Sequence, residues 1–188
     1  MELMHAIYSR RAVREYTPAP VDDVAIRKLL HAAVHAPSAV NEQPWRFVVV
    51  RDQAKLDRIS ANAKRHLMAT MAQDPRAPHF MPMLEDAGYQ IFYHAPALLL
   101  ICAYEPIAWA VEDCTLAAQN LMLAAHGAGL GSCWIGFAQH YLNTPEGKHI
   151  LDLPESWLAV APIIVGHPRQ VPAATPRNEP IIDWINGT

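Results

Sequence analysis

This chain has few of the features that mark metal-binding, secreted or membrane proteins. It contains three cysteines in 188 residues (Cys102, Cys114 and Cys133), and none belongs to a C-x-x-C pattern. We therefore expect reduced, buried thiols and a cytoplasmic location. No apolar run reaches the ~18 residues that a membrane span needs, and residues 1–11 lack the apolar core of a signal peptide.

Positive charge is also scarce, because the formal net charge is −3 and charged residues make up 18% of the chain. An acidic total argues against a general nucleic-acid binder, so we expect no nucleic-acid partner. His31 and His35 lie four residues apart, but no third ligand accompanies them, and we expect no metal site. Hydrophobic residues make up 52% of the chain, which is enough for a folded core.

Three arginines lie within five residues near the N-terminus, at Arg10, Arg11 and Arg14. Their mutual repulsion is unfavourable unless an anion or carboxylates share the charge. One interpretation is a solvated basic turn at the end of a helix. The other is a phosphate-binding cluster, because guanidinium groups match phosphate oxygens bidentately. The charges alone leave both interpretations open.

A polar loop lies between a helical pattern that ends before Pro37 and a valine-rich run at 45–50. The loop carries Ser38, Asn41 and Gln43, and prolines frame it on both sides. The apolar run predicts a buried strand. Hydrogen-bonding groups displayed between rigid elements are typical of a binding loop.

The remaining patterns predict a single α+β domain over residues 1–188, with three to five strands and about six helices. Further strands are expected at 97–104 and 157–165, and a short strand or extended loop at 132–137. Helices are expected at 2–9 and 83–94, and after capping residues Asp22, Asp52 and Thr144. Residues 73–82 predict a proline-broken loop that either packs or covers a pocket. Residues 169–188 predict an extended arm over a surface of this chain or of a partner.

Residues 110–125 predict a helix with small or apolar residues almost all round, which favours a place in a subunit interface. Gly127, Gly129 and Gly131 follow this helix. A dinucleotide-binding fingerprint would instead follow a strand and open a helix. We therefore interpret these glycines as a helix cap and a tight turn.

No catalytic set of side chains stands out, since the chain has no G-x-S-x-G, zinc-site spacing or P-loop. The acidic pairs at 22–23 and 112–113 lie at predicted helix starts, where capping accounts for them. We expect no catalytic side chain and infer that a bound cofactor supplies the chemistry.

Six segments resemble the nitroreductase family of FMN-dependent oxidoreductases, in the family's order and over nearly the whole chain. They are Arg10–Arg14, Ala36–Trp45, the apolar helix predicted at 110–125, Gly129–Gly131, Trp134–Gly136 and Val165–Pro168. The resemblance implies an α+β fold with a mixed sheet flanked by helices, in an intertwined homodimer with two FMN sites at the interface. It also implies NADH or NADPH as reductant, ping-pong turnover, and a nitroaromatic, quinone or related small-molecule acceptor.

The resemblance further implies a cofactor site built by both subunits. Arg10 and Arg177 would bind the FMN phosphate beside Arg11 and the backbone of Ala12, and Arg14 would lie near the pyrimidine edge of the ring. The second subunit would cover the ring and ribityl chain with its loop, through Pro37, Ser38, Ala39, Asn41 and Gln43. The backbone of Trp134, Ile135 and Gly136 would face the ring, with an amide near N5.

Two positions depart from the family pattern. The family often has serine where Ala12 stands. It also often places an asparagine and a lysine at the ring's polar edge from the segment after the third helix, whereas Asn62 and Lys64 fall inside that predicted helix. Two alternatives accompany the main hypothesis: an FMN carrier or sensor without turnover, and a specialised relative for reductive dehalogenation or flavin cleavage.

Overall fold

Seven α-helices and four β-strands form three layers in residues 1–71 and 73–185, the parts of the chain that the computed structural model describes. In chain order they are α1 (Leu3–Ser9), α2 (Asp23–Ala33), a 3₁₀ turn (Ala39–Asn41), β1 (Trp45–Val50), α3 (Gln53–Thr70), α4 (Ala77–Glu85), β2 (Ala97–Ala103), α5 (Ala110–Gly127), β3 (Gly131–Trp134), α6 (Gly136–Leu142), α7 (Pro145–Ile150) and β4 (Leu158–Gly166). None of these helices is long and apolar enough to cross a membrane.

The four strands form one sheet in the order β1-β2-β4-β3, and each neighbouring pair is antiparallel. The α+β class is confirmed, but the predicted mixed sheet is antiparallel in its strands. Among the described residues, one parallel bridge is found; it joins Ala12 to Ser132, and Ala12 lies outside the four strands. This bridge attaches the arginine-rich segment to the β3 edge of the sheet.

Side chains that alternate along β2 divide the core into two clusters. Leu98 and Leu100 pack with α3 and α6 on one face, and Leu99 and Ile101 pack with α2 and α5 on the other. All seven residues of β2 are buried. Helices therefore cover both faces of the sheet, and this explains why the central strands have no polar side.

The predicted helix starts are confirmed by their capping bonds. The side chains of Asp22, Asp52 and Thr144 accept hydrogen bonds from amides three residues ahead, at 2.7, 3.1 and 3.0 Å. Each bond satisfies one amide that has no partner within its helix.

The end of α5 has the hydrogen bonds of a Schellman motif. Gly129 has φ +75°, its amide donates to His126 O at 3.0 Å, and the Leu130 amide donates to Ala125 O at 2.9 Å. These bonds confirm that Gly129 caps a helix and turns the chain into β3.

Two predictions for residues 73–94 are wrong. Residues 77–85, most of them in the predicted loop, form α4, because Pro78 lies in the first turn, where a proline's missing amide is not needed. The predicted helix at 83–94 does not form. Asp86 is extended and its carboxylate accepts from the Gly88 amide at 2.8 Å, while Tyr93 and His94 both have φ 52°. These local turns compete with helical hydrogen bonding.

The segment at 132–137 is shared between two elements. The strand β3 ends at Trp134, and α6 begins at Gly136. The short α6 was not predicted from the sequence. Its buried residues Ala138, Tyr141 and Leu142 join the cluster under α3.

Candidate functional site

The arginine-rich segment runs in extended form beside β3. The Val13 amide donates to Ser132 O at 3.0 Å, next to the bridge between Ala12 and Ser132. A side chain at Gly131 would meet Val13 Cβ at 2.7 Å, so only glycine permits this approach. The segment is thus fixed to the edge of the sheet.

A first cleft, which we call the arginine cleft, opens between this segment and the C-terminal end of α5. Arg10 and Arg11 line it together with the hydroxyl-bearing residues Ser9 and Ser132 and with His126. Ser9 Oγ and His126 Nε2 are 2.7 Å apart. The remaining lining is largely apolar and comes from Met1, Val13, Gly129, Leu130, Pro168, Val171 and Pro172.

No carboxylate partner of Arg10 or Arg11 is found among the described residues. The ion pairs found in the described residues join Arg51 to Asp23 and Arg76 to Asp74, both elsewhere on the surface. Burial lowers the pKa of Arg10, and the positive charges of Arg11 and Arg177 lower it further. The interpretation as a solvated basic turn is therefore disfavoured, and the cleft is suited to an anion.

Arg11 has a partly structural role. Its Nη1 donates to Tyr8 O at 2.6 Å and to Arg10 O at 2.8 Å, so the guanidinium caps the last carbonyls of α1. Its Nε is buried and has no hydrogen-bond partner among the described residues. This buried Nε–H of Arg11 thus remains for a ligand.

A second cleft, the tyrosine cleft, lies farther along β3. It is lined by Arg14, Tyr89, Ile91, Tyr93, Cys133, Trp134, Ile135, Gly136 and Phe137. The hydroxyls of Tyr89 and Tyr93 are 3.0 Å apart, and the Arg14 guanidinium is 5.9 Å from the centre of the Tyr93 ring. Burial raises the pKa of Tyr89, and its hydrogen bond with Tyr93 acts in the same direction. At neutral pH this tyrosine is a neutral hydrogen-bonding group.

Four of the residues that the resemblance places at the cofactor lie together in the tyrosine cleft: Arg14, Trp134, Ile135 and Gly136. The amide of Ile135 is not free, since it donates to Pro162 O at 2.8 Å. Gly136 is the first residue of α6, and the first amides of a helix have no partner within it. Gly136 is therefore the better donor for a ligand in this cleft.

Tyr89 and Tyr93 were not predicted as site residues. Their positions depend on Lys64, a residue of α3 that is 9% exposed and whose Nζ donates to the carbonyls of Asp86 and Tyr89. The lysine holds the turn that carries both tyrosines. Asn62, in contrast, donates to Tyr141 Oη at 2.8 Å, away from the cleft. The four-residue spacing of the two tyrosines was the available signal in the sequence.

The polar loop lies far from both clefts of its own chain. The Ala39 amide donates to Asp113 Oδ1 at 3.0 Å, near the N-terminus of α5. His126 of the arginine cleft is thirteen residues farther along the same helix, or about 20 Å. The loop also leads into β1, at the opposite edge of the sheet from β3. Pro37, Ser38, Ala39, Asn41 and Gln43 therefore do not join the arginines within one chain.

The loop is held in an unusual backbone conformation. Val40, Asn41 and Gln43 have φ of 44°, 60° and 51°, and Val40 is 90% exposed. A positive φ is a marked outlier for a β-branched residue. The Gln43 amide donates to Ser38 Oγ at 3.1 Å and the Tyr104 hydroxyl donates to Glu42 at 2.9 Å, and both bonds hold the loop. Such strain is often found at binding sites.

The C-terminal arm starts beside the arginine-rich segment. The backbone amide of Arg169 donates to Glu15 O at 3.0 Å, and the side-chain Nε of Arg169 donates to Tyr16 O at 2.7 Å. Arg177 bonds only to carbonyls of its own arm within the described residues, and its charge acts on the pKa of Arg10. Farther on, Ile181, Trp184 and Ile185 are largely exposed.

Comparison with known proteins gives a consistent result. A sequence model described as the nitroreductase family matches residues 7–167. A relative from Archaeoglobus fulgidus, provisionally named as an NADH dehydrogenase/NAD(P)H nitroreductase, is 34% identical over 168 residues, which cover 89% of this chain and 86% of the relative. A nitrobenzene nitroreductase from Ectopseudomonas oleovorans is 29% identical and is covered over 84% of its length, with 85% of this chain. The crystal structure of an FMN-bound nitroreductase from Bacteroides fragilis superposes with TM-score 0.83 and 26% identity, over 99% of this chain and 100% of that one.

Proposed function

The chain belongs to the nitroreductase family, and on that premise we propose that it is an FMN-dependent oxidoreductase. NADH or NADPH would be the reductant, and a nitroaromatic, quinone or related small molecule would be the acceptor, in ping-pong turnover. The observation that carries the proposal is the pair of clefts along β3, one cationic and one with apolar and tyrosine walls.

The arginine cleft fits the phosphate end of FMN. Within the part of the chain that the structure describes, Arg10 and Arg11 have no carboxylate partner, and Arg177 is close enough for its charge to lower the pKa of Arg10. Two buried donors in the cleft, Arg11 Nε and Ser132 Oγ, have no partner among the described residues. A phosphate would supply acceptors and negative charge to both, with the backbone of Ala12 alongside.

The tyrosine cleft fits the flavin ring of FMN. Ile91, Ile135 and Phe137 give it apolar walls, and Arg14 gives it a positive charge at the edge. FMN, when bound, accepts hydride from the nicotinamide and passes electrons to the acceptor. Arg14 would hold its charge beside the pyrimidine edge, and the Gly136 amide would orient the ring by a hydrogen bond.

A homodimer is part of the proposal, because one chain gives an incomplete site. The loop that carries Ser38 and Asn41 is held near the N-terminus of α5, about 20 Å along this helix from the arginine cleft. Leu3 and Ile7 of α1 and Leu116 of α5 are all at least 44% exposed. Burial of this apolar surface against a second chain would bring the partner's loop, with Ser38 and Asn41, over the clefts.

Spectroscopy of the purified protein tests the proposal. We expect a yellow protein, or one that binds added FMN, whose visible flavin band bleaches when NADPH or NADH is added without oxygen. Reoxidation by a nitroaromatic or a quinone would then identify the acceptor class. A flavin band that neither nucleotide bleaches would indicate a carrier or sensor, and a protein that binds no FMN would refute the proposal.

A further inference from the structure

The hydroxyl of Ser132 is buried and has no hydrogen-bond partner within the described residues, although the residue lines the arginine cleft. Ser132 is 2% exposed. Buried hydroxyls are nearly always hydrogen-bonded, because an unsatisfied one loses its bonds to water without replacement. This hydroxyl therefore needs an explanation.

The fold itself does not require a hydroxyl at this position. The backbone of Ser132 is already paired, since its carbonyl accepts from the Val13 amide at 3.0 Å and its strand partner is Val165. An alanine would keep all of these contacts. Ala12, which forms the parallel bridge with Ser132, has only a methyl group as its side chain. Ser132 is thus the hydroxyl that this pair of segments can offer.

The surroundings of Ser132 define the ligand that would satisfy it. Arg11 Nε is likewise buried and unpartnered in the described part of the chain, and it belongs to the same cleft. A guanidinium only donates, and a hydroxyl can donate as well. Since a serine turns about a single χ1 bond, its hydroxyl can rotate towards a ligand at little cost. A ligand with several acceptor oxygens and negative charge matches both donors.

We propose that Ser132 donates a hydrogen bond to the phosphate of FMN, in place of a hydroxyl that Ala12 lacks. The inference rests on the proposed function, because it names a residue of the same FMN site. It assigns to Ser132 a binding role that discriminates FMN from riboflavin, which has the same ring and no phosphate.

Titration of the flavin-free protein with FMN and with riboflavin tests this role in Ser132→Ala. We expect the Kd for FMN to rise about tenfold, the usual effect of losing a hydrogen bond to a charged group. The Kd for riboflavin should not change. The thermal unfolding temperature without flavin should be unchanged or higher, since the variant removes an unsatisfied hydroxyl.

Two further variants sharpen the test. Ser156→Ala makes the same change at an exposed serine whose hydroxyl donates to Tyr104 O, and it should leave both affinities unchanged. Adding Ala12→Ser to Ser132→Ala should restore part of the FMN affinity. Equal loss of both flavins, or no loss of FMN, would overturn the role of Ser132 while the proposed function stands. A wild-type protein that binds neither flavin would overturn both.

Discussion

At the scale of single residues, Arg14 supplies the positive charge beside the proposed flavin ring. Its guanidinium lies at the tyrosine cleft, 5.9 Å from the centre of the Tyr93 ring. A fixed positive charge there stabilises the reduced form of bound FMN relative to the oxidised form. We predict that Arg14→Ala lowers the midpoint potential of bound FMN by on the order of 30 mV, or roughly 1.4 kcal/mol for a two-electron couple.

The control for this prediction is Arg14→Lys, which keeps the charge and should keep most of the potential. Spectroelectrochemical titration of each loaded variant measures the difference. If the alanine and lysine variants had equal potentials, the charge of Arg14 would have no part in tuning the ring.

His126 provides a pH-dependent prediction. Burial lowers the pKa of His126, and the charges of Arg10, His5 and Arg11 lower it further. The folded protein therefore binds this proton less strongly than the unfolded chain does. Stability from His126 is complete above the ordinary histidine pKa of about 6.5 and is lost as the pH falls through the lowered value.

We accordingly predict that His126→Gln flattens the fall of the unfolding temperature between about pH 8 and pH 5.5 in flavin-free protein. Calorimetric scans at a series of pH values give this slope. Bound FMN should reduce the wild-type slope, because a phosphate would stabilise the charged imidazole. Identical slopes in wild type and variant would show that His126 does not contribute to the pH dependence of stability.

Several site residues were predictable because their chemistry is concentrated in short segments. The three arginines between positions 10 and 14 made an anion site one of two interpretations before any fold was known. Tyr89 and Ser132 were not predictable in this way. The first depends on a turn held by Lys64, and the second depends on a pairing with the distant Ala12 segment. Such roles arise from tertiary contacts that no local pattern contains.

At the scale of elements, the approach of the arginine-rich segment to β3 depends on Gly131. A Cβ there would lie 2.7 Å from Val13 Cβ, and a valine has little rotamer freedom to move away. We predict that Gly131→Ala costs about 1–3 kcal/mol of stability, as overpacking usually does, and also weakens FMN binding. Denaturant unfolding and flavin titration measure the two effects.

Gly127→Ala is the matched control, because a Cβ at this last residue of α5 meets nothing within 4 Å. It should be neutral, or stabilising by up to about 1 kcal/mol through helix propensity. If both glycine variants were equally stable, the close packing of the segment on β3 would not support the site.

Elements with regular periodicity or a clear cap were predictable, and the strands β1 and β2 and the helices α2, α3 and α5 lie close to their predicted bounds. The structure of residues 73–94 was not predictable, because their prolines indicate a loop whereas part of the segment forms a helix. Pro78 lies in the first turn of α4, and Pro82 lies inside it. The helix still forms, with Phe80 against Phe137, whose ring centre is 5.6 Å away. Tertiary packing outweighed local propensity here.

At the scale of the whole molecule, each proposed FMN site needs residues from two chains. The arginine and tyrosine clefts lie along β3, and the polar loop lies at the far end of α5 by β1. Sequence patterns could suggest an interface from the apolar α5, but not which parts of two chains meet. The exposed apolar residues of α1 and the arm are consistent with such a partner.

Subunit complementation tests this shared site most directly. One variant carries Arg10→Ala, which removes the phosphate contact, and the other carries Ser38→Ala with Asn41→Ala, which removes the loop contacts. Each alone should retain little FMN. After the two are unfolded and refolded together, random pairing should give mixed dimers with one intact site, and FMN retention should recover to about a quarter of the wild-type value. No recovery, from mixed dimers shown to have formed, would mean that each chain completes its own site and would contradict the account.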